Sequence, residues 1–383
     1  MVSSDFISLS SQNTQINSRC RCYNIPISFF FQQDIEMNDR NMELQHGGNI
    51  YDKEVRYDLS VNINPAGMPD IINDAIRRGE ERIGCYPEYG AEGLRKAVGE
   101  CHCMDPECVV CGNGASEIIS VLGRMYEGES VIIPVPSFVG YERAFAGSDV
   151  KFVLLDKDRD FVMDDSIAGM IESDHPAAVV TGNPNNPTGR LADRGVLMHL
   201  ADVCRKSGCR LVIDESFIEL SDGGEDNSLV DAARDNDHII IIRSVTKAFA
   251  VPGVRLGYMM CADRDLCRRV RGLLPEWNIS VFAEEVGKEI FTWSGRMEYL
   301  RRSEETVRVH RNRMAEKMAV KGIRYIESSC NFVLFESDAG LYERMLRHGL
   351  LIRRCTDYRG LEGNWFRVAV SAGSACIVFL RSL

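Results

Sequence analysis

Apolar residues follow two rhythms along this chain. Short apolar runs bounded by polar and turn residues recur at 109–110, 130–133, 151–155, 177–181, 210–213, 238–242 and 257–261. Such runs predict strands buried on both faces. Between them the apolar spacing changes to three and four, and this predicts helices such as 115–125 and 194–206. The alternation predicts an α/β fold, a mostly parallel seven-stranded sheet covered by helices. Upstream lie an extended piece at 58–61, ended by Asn62-Ile63-Asn64-Pro65, and a helix at 70–82 with Ile71, Ile72, Ala75 and Ile76 on one stripe. A turn at 86–90 leads into a helix at 91–101. Downstream, 282–317 predicts a long amphipathic helix interrupted at Trp293-Ser294-Gly295. Short strands at 332–335, 351–353 and 365–370 then indicate a smaller α+β domain.

No period is sustained before residue 46. Residues 1–45 are polar with one apolar patch at 25–31, and are expected to be a poorly ordered extension, with Met37 or Met42 as alternative starts. The expected division is therefore an extension (1–45), an arm with the first part of the small domain (46–85), a large domain (86–275) and a C-terminal small domain (276–383).

Composition narrows the class. At 45% hydrophobic the chain is an ordinary globular protein. A net charge of −11 argues against a nucleic-acid footprint, and no run is long and apolar enough for a membrane span. The 14 cysteines are scattered behind no secretory leader, which points to free thiols in the cytoplasm. Cys101-His102-Cys103 with Cys108 and Cys111 resembles half a zinc knuckle. Its second half is missing, and the strand between Cys108 and Cys111 makes their side chains diverge, so no metal is expected.

Ligands of an open parallel sheet bind beyond the carboxyl ends of its strands, and the unusual residues here fall at those ends. Gly112-Asn113-Gly114-Ala115-Ser116 opens a helix where backbone N–H groups and a hydroxyl can meet a phosphate. Phe138 follows the second run and can stack on a flat ring. Asn186 sits in a rigid Pro- and Asn-rich loop and can donate to a ring oxygen. Asp214 ends the fifth run, where a carboxylate can pair with a protonated pyridine nitrogen. After the sixth run comes Ser244-Val245-Thr246-Lys247, with Arg255 eight residues beyond the lysine. Burial and Arg255 would lower the Lys247 pKa and make its amine nucleophilic. Ser244 and Arg255 could then hold a phosphate while Lys247 bonds an aldehyde, which is how pyridoxal phosphate (PLP) is attached to proteins. Arg353 and Arg367 lie in short apolar strands near the end, and each offers a fork for a carboxylate or phosphate.

Assembled, these residues resemble the class I/II aminotransferase family of PLP enzymes, fold type I, over about 46–370. Within it the chain is most similar to the branch that holds threonine-phosphate decarboxylase and histidinol-phosphate aminotransferase. The resemblance implies that Lys247 bonds the cofactor, Asp214 pairs with its ring nitrogen, Asn186 bonds its ring hydroxyl and Phe138 stacks on it. Ala115, Ser116, Ser244 and Arg255 would hold its phosphate. Tyr86 resembles a tyrosine that reaches the neighbouring subunit's phosphate, which implies a homodimer with shared sites. Arg367 looks like the arginine that binds the substrate α-carboxylate.

Three features resemble the decarboxylase side, an activity of cobalamin biosynthesis. They are His46-Gly47-Gly48-Asn49, Phe217 in place of a tyrosine, and the pieces Asn62-Ile63-Asn64-Pro65, Val251-Pro252-Gly253 and Leu351-Ile352-Arg353-Arg354-Cys355. A phosphorylated substrate would need a second anion site, for which His46, Asn49 and Arg353 are the candidates. Transamination is the alternative. The tail after Val370 departs from the family's polar helical pattern, so the final helix is expected to be lost or altered.

Overall fold

The computed structural model describes residues 47–383. The expected extension and His46 lie outside the described residues. Seven strands form the large sheet: β1 (Val109–Gly112), β2 (Ser130–Val135), β3 (Asp149–Leu154), β4 (Ala178–Gly182), β5 (Arg210–Asp214), β6 (Ile239–Ser244) and β7 (Gly257–Met260), in spatial order β1-β7-β6-β5-β4-β2-β3. Neighbours pair in parallel except at β7, which runs antiparallel to both β6 and β1.

The apolar runs read as strands because both of their faces are covered. In β6, Ile239 and Ile241 pack into one core cluster while Ile240 and Ile242 pack into another on the opposite face. In β5, Leu211 and Ile213 face the first cluster and Val212 the second. This strict alternation fixes the register, since a one-residue slip would exchange the two faces.

The helices that position the site are α1 (Ile71–Glu81), α2 (Glu92–His102), α3 (Ala115–Met125), α4 (Arg194–Ser207), α5 (Val245–Ala248), α6 (Val281–Thr292), α7 (Arg296–Val320) and α8 (Ser374–Ser382). Helix α1 packs on α6, where Arg78 pairs with Glu285 and Glu289, and Arg82 with Glu284. The break expected near residues 293–295 separates α6 from α7. In α7 the buried residues Arg296, Leu300, Ser303, Val307, Arg311, Met314 and Met318 recur every three or four positions, one stripe along the helix.

A second sheet pairs β8 (Phe332–Glu336), β9 (Arg353–Arg354) and β10 (Trp365–Ala369) antiparallel in the order β9-β10-β8. Tyr57–Asp58 pairs with Leu350–Leu351 in a separate two-stranded sheet, and the Leu59 carbonyl accepts from Ala369 N of β10. The tail corrects the expectation drawn from its composition. It forms α8, with Ala375, Cys376 and Phe379 buried against the second sheet's core. The tail lacks the family's polar pattern and still forms a helix, because Ala375, Cys376 and Phe379 fall on one face and are buried there.

Candidate active site

Each parallel strand ends at the same edge, so Gly112, Gly182, Asp214 and Ser244 lie side by side; Gly182 pairs with Asp214 and Ser244 with Gly257. Because β7 is antiparallel, its beginning sits at that edge, and this brings Arg255 into the group. Ala115, Ser116, Phe138, Tyr141, Asn186, Asp214, Ser216, Phe217, Ser244, Thr246, Lys247 and Arg255 line one open cavity. Eight of the residues expected from sequence thus meet there.

Two glycines permit the approach at the phosphate end. Gly114 has φ +82°, and a Cβ on it would lie 2.3 Å from an Arg255 guanidinium nitrogen. A Cβ on Gly257 would lie 2.2 Å from the Ala115 nitrogen. The start of α3 can therefore press against both Arg255 and β7, with its first N–H groups directed to the anion that a helix N-terminus favours. Ser244 caps α5 by accepting a hydrogen bond from Thr246 N at 3.3 Å. The Thr246 hydroxyl is buried without a partner among the described residues.

At the other end, Asp214 accepts from Ser216 Oγ at 2.5 Å, Ser216 N at 3.0 Å and Tyr141 Oη at 2.9 Å. Burial pushes its carboxyl pKa up, against these hydrogen bonds and the charge of Lys247. A carboxylate held so is stabilised by an added cation. Burial lowers the Lys247 amine to about 8, helped by Arg255 and Arg367 and opposed by Asp214. The Lys247 Nζ lies 6.0 Å from the centroid of the Phe217 ring, which packs edge-on against Phe332 at 5.1 Å.

Arg367 reaches the rim of the cavity from β10. Its Nη1 donates to Asn186 Oδ1 at 2.6 Å and its Nη2 to the Ser60 carbonyl at 2.7 Å, and its buried Nε has no partner among the described residues. The Tyr358 hydroxyl donates to the same Asn186 oxygen at 3.4 Å. With Oδ1 occupied twice, the Asn186 amide nitrogen is left to donate into the cavity.

Three expected residues stand apart. Arg353 is buried in a pair with Asp357, at 2.6 and 2.8 Å to its two oxygens, and does not line the cavity. Asn49 is exposed. Tyr86 is 77% exposed and stacks on Trp277 at 4.7 Å. The cysteines expected to diverge are both buried in β1 and its approach, and no group of His, Cys, Asp or Glu that could hold a metal occurs among the described residues.

Sequence reasoning missed Tyr141, Ser216, Thr246, Ser60 and Tyr358. Two of these carried a signal: Tyr141 follows Phe138 by one helical turn, and Ser216 sits two residues after a strand-end carboxylate, the spacing of a side-chain turn. Ser60 and Tyr358 arrive from far along the chain with no local signal.

PLP is a flat pyridine ring bearing an aldehyde, a hydroxyl and a phosphate, and the residues present fit it. A partly neutral amine, a buried carboxylate in want of a cation, an aromatic wall, a free amide N–H and a cluster of phosphate donors each match one part of the group.

The family model for "Aminotransferase class I and II" matches residues 56–375. A chain from Caldanaerobacter subterraneus subsp. tengcongensis, provisionally named a threonine-phosphate decarboxylase, is 33% identical over 85% of this chain and 89% of its own length. The threonine-phosphate decarboxylase of Salmonella typhimurium is 29% identical over 86% of this chain and 93% of its own. The crystal structure of histidinol-phosphate aminotransferase from Clostridium acetobutylicum superposes with a TM-score of 0.78 at 30% identity, covering 85% of this chain and 97% of that one.

Proposed function

The chain belongs to the class I and II aminotransferases, a family of PLP-dependent enzymes, and on that premise we propose that it decarboxylates a small phosphorylated amino acid, as threonine-phosphate decarboxylases do. The observation that carries the reading is the meeting of Lys247, Asp214 and Arg255 in one cavity. The choice of decarboxylation is supported by likeness to two relatives so named and by Phe217, which puts a ring without a hydroxyl 6.0 Å from the Lys247 amine. The setting proposed is cobalamin assembly in the cytoplasm.

When bound, PLP would withdraw electrons from the substrate carbon that bears the amino group. The chain supplies the rest. Asp214 would hold the protonated ring nitrogen, and Tyr141 and Ser216 keep its carboxylate fixed. Lys247 Nζ would hold the aldehyde end of the group, and its amine would serve as the proton carrier near the substrate carbon. Arg367, fixed by Asn186 and Ser60, offers its free Nε–H and remaining Nη–H groups to the substrate carboxylate. Which bond stands across the ring plane decides the reaction, and the anchoring of the substrate's two anionic ends sets that torsion. His46, Asn49 and Arg353 are proposed for the remote phosphate; Arg353 would exchange Asp357 for it. Phe217 and Phe332 keep water from the lysine side. A homodimer is proposed from the exposed aromatic group Tyr86, Tyr89 and Trp277, with Tyr86 completing the partner subunit's phosphate end.

The second reading is transamination of the histidinol-phosphate type, favoured by the solved structure at 30% identity. PLP-loaded protein should release carbon dioxide from threonine phosphate. Glutamate formed from histidinol phosphate and 2-oxoglutarate, without carbon dioxide from threonine phosphate, overturns the first reading in favour of the second.

A further inference from the structure

Behind the cavity, on the opposite face of the sheet, lies a largely buried group of charges that the chemistry above does not use. Arg243 is 1% exposed and Glu215 is 1% exposed. Arg243 donates to Glu215 Oε2 from Nε at 3.1 Å and from Nη2 at 2.9 Å. It also donates to both oxygens of Glu225 at 2.8 Å and to Ser228 Oγ at 2.7 Å. Glu215 accepts in addition from Ser228 Oγ at 2.7 Å and Leu229 N at 2.9 Å. Arg296 from α7 joins through Glu219 at 2.5 Å and Glu225 at 3.5 Å.

The two central residues are placed by strand alternation. Glu215 follows Asp214, and Arg243 precedes Ser244. Successive side chains of a strand point to opposite faces, so each charged residue is the back of a cavity residue. Buried ion groups are weak contributors to stability, because desolvation offsets their attraction, and apolar replacements are often neutral. What such a group does supply is direction. It cross-links the ends of β5 and β6 at one fixed register and spacing.

We infer that Glu215 and Arg243 are positioning residues, which set the span between Asp214 and the Ser244–Lys247 turn so that one rigid cofactor can touch both. The inference rests on reading Asp214 and Ser244 as cofactor contacts.

The test uses full-length Glu215→Gln and the paired apolar replacement Glu215→Leu with Arg243→Met. The control is Arg210→Met, which breaks the Arg210–Asp263 pair at the opposite end of β5. For each, the affinity for PLP, the pH midpoint of the lysine-bound cofactor's absorption and the thermal midpoint of the cofactor-free protein are measured. A positioning role predicts PLP affinity at least tenfold weaker and a displaced pH midpoint in Glu215→Gln and in the paired variant, with both unchanged in the control even where its thermal midpoint falls. The Gln variant keeps the side chain's size but puts an amide N–H₂ where a carboxylate oxygen accepted and removes the charge that faces Arg243, so it tests the cross-link even if the paired variant does not fold. PLP affinity and pH midpoint within twofold of the parent in Glu215→Gln overturn the inference, whatever happens to stability. Failure of the parent itself to bind PLP through Lys247 is a separate result, and removes the cofactor reading along with this one.

Discussion

At the scale of single residues, the site is a set of side chains held away from their ordinary protonation. Lys247 is the clearest case. Its folded-state pKa of about 8 lies below the ordinary lysine value, so between those two pH values the unfolded chain binds more protons than the folded one. Stability of the cofactor-free protein is therefore diminished by this residue below pH 8 and recovers as pH rises above it. Lys247→Met should stabilise that form by up to about 3 kcal/mol at pH 7 and by little at pH 10, measured by urea unfolding at both. The same substitution should lower turnover by about 10³-fold or more, and borohydride should no longer fix PLP to the chain. Trapping at another lysine would refute the assignment. For the parent, the rate at which cofactor-free protein captures PLP should rise with pH to half its maximum near pH 8. Asp214→Ala should cost about 10²- to 10⁴-fold in turnover while the cooperative unfolding transition persists. Unchanged turnover would reduce Asp214 to a structural acceptor for Ser216 and Tyr141.

At the scale of elements, the geometry turns on how closely α3, β7 and the loop bearing Arg255 approach. Gly114→Ala places a methyl group 2.3 Å from the Arg255 guanidinium at a φ of +82°, so something must move. PLP affinity should fall at least tenfold by spectrophotometric titration, with turnover at saturating PLP far less affected. Helix α8 offers a contrasting change. Phe379 is fully buried in the second sheet's core, and Phe379→Ala should destabilise by about 3–5 kcal/mol in denaturant titration without altering PLP affinity. Most elements were legible in the chain because two-sided burial makes nearly continuous apolar runs, and the runs ending at Asp214 and Ser244 fall within a residue or two of the observed strands. Ligand residues at strand ends were legible for the same reason, since the end of a run marks the edge of the sheet. What could not be read was long-range. The Ser60 carbonyl meets Arg367 across 307 positions and Tyr358 meets Asn186 across 172, and no local pattern announces that. Arg353 offered the right fork, yet its partner Asp357 lies only four residues on and holds it in place. Helix α8 was misjudged because polarity was weighed where the buried stripe decided the matter.

At the scale of the whole molecule, Tyr86 is exposed against Trp277, which with Tyr89 borders a second cavity. If Tyr86 completes a neighbour's site, mixing a Tyr86→Ala variant with a Lys247→Ala variant should restore activity through mixed dimers that hold one intact site. A sedimenting monomer with full activity would end that proposal. The antiparallel strand β7 has a further consequence, which concerns the order of assembly. Ser244, Lys247 and Arg255 all lie on the β6–β7 connection, with Ser244 opposite Gly257, so this part of the phosphate end closes locally, while Ala115 and Ser116 join it when β1 pairs with β7. Asp214 and Asn186 join through parallel crossovers, and Arg367 joins through the second sheet far along the chain. Contacts of short sequence separation cost less chain entropy to close and tend to form sooner. A nascent chain released near residue 275 would thus already carry the anion-binding half of its site, and phosphate-bearing ligands could act on its folding before the substrate end exists.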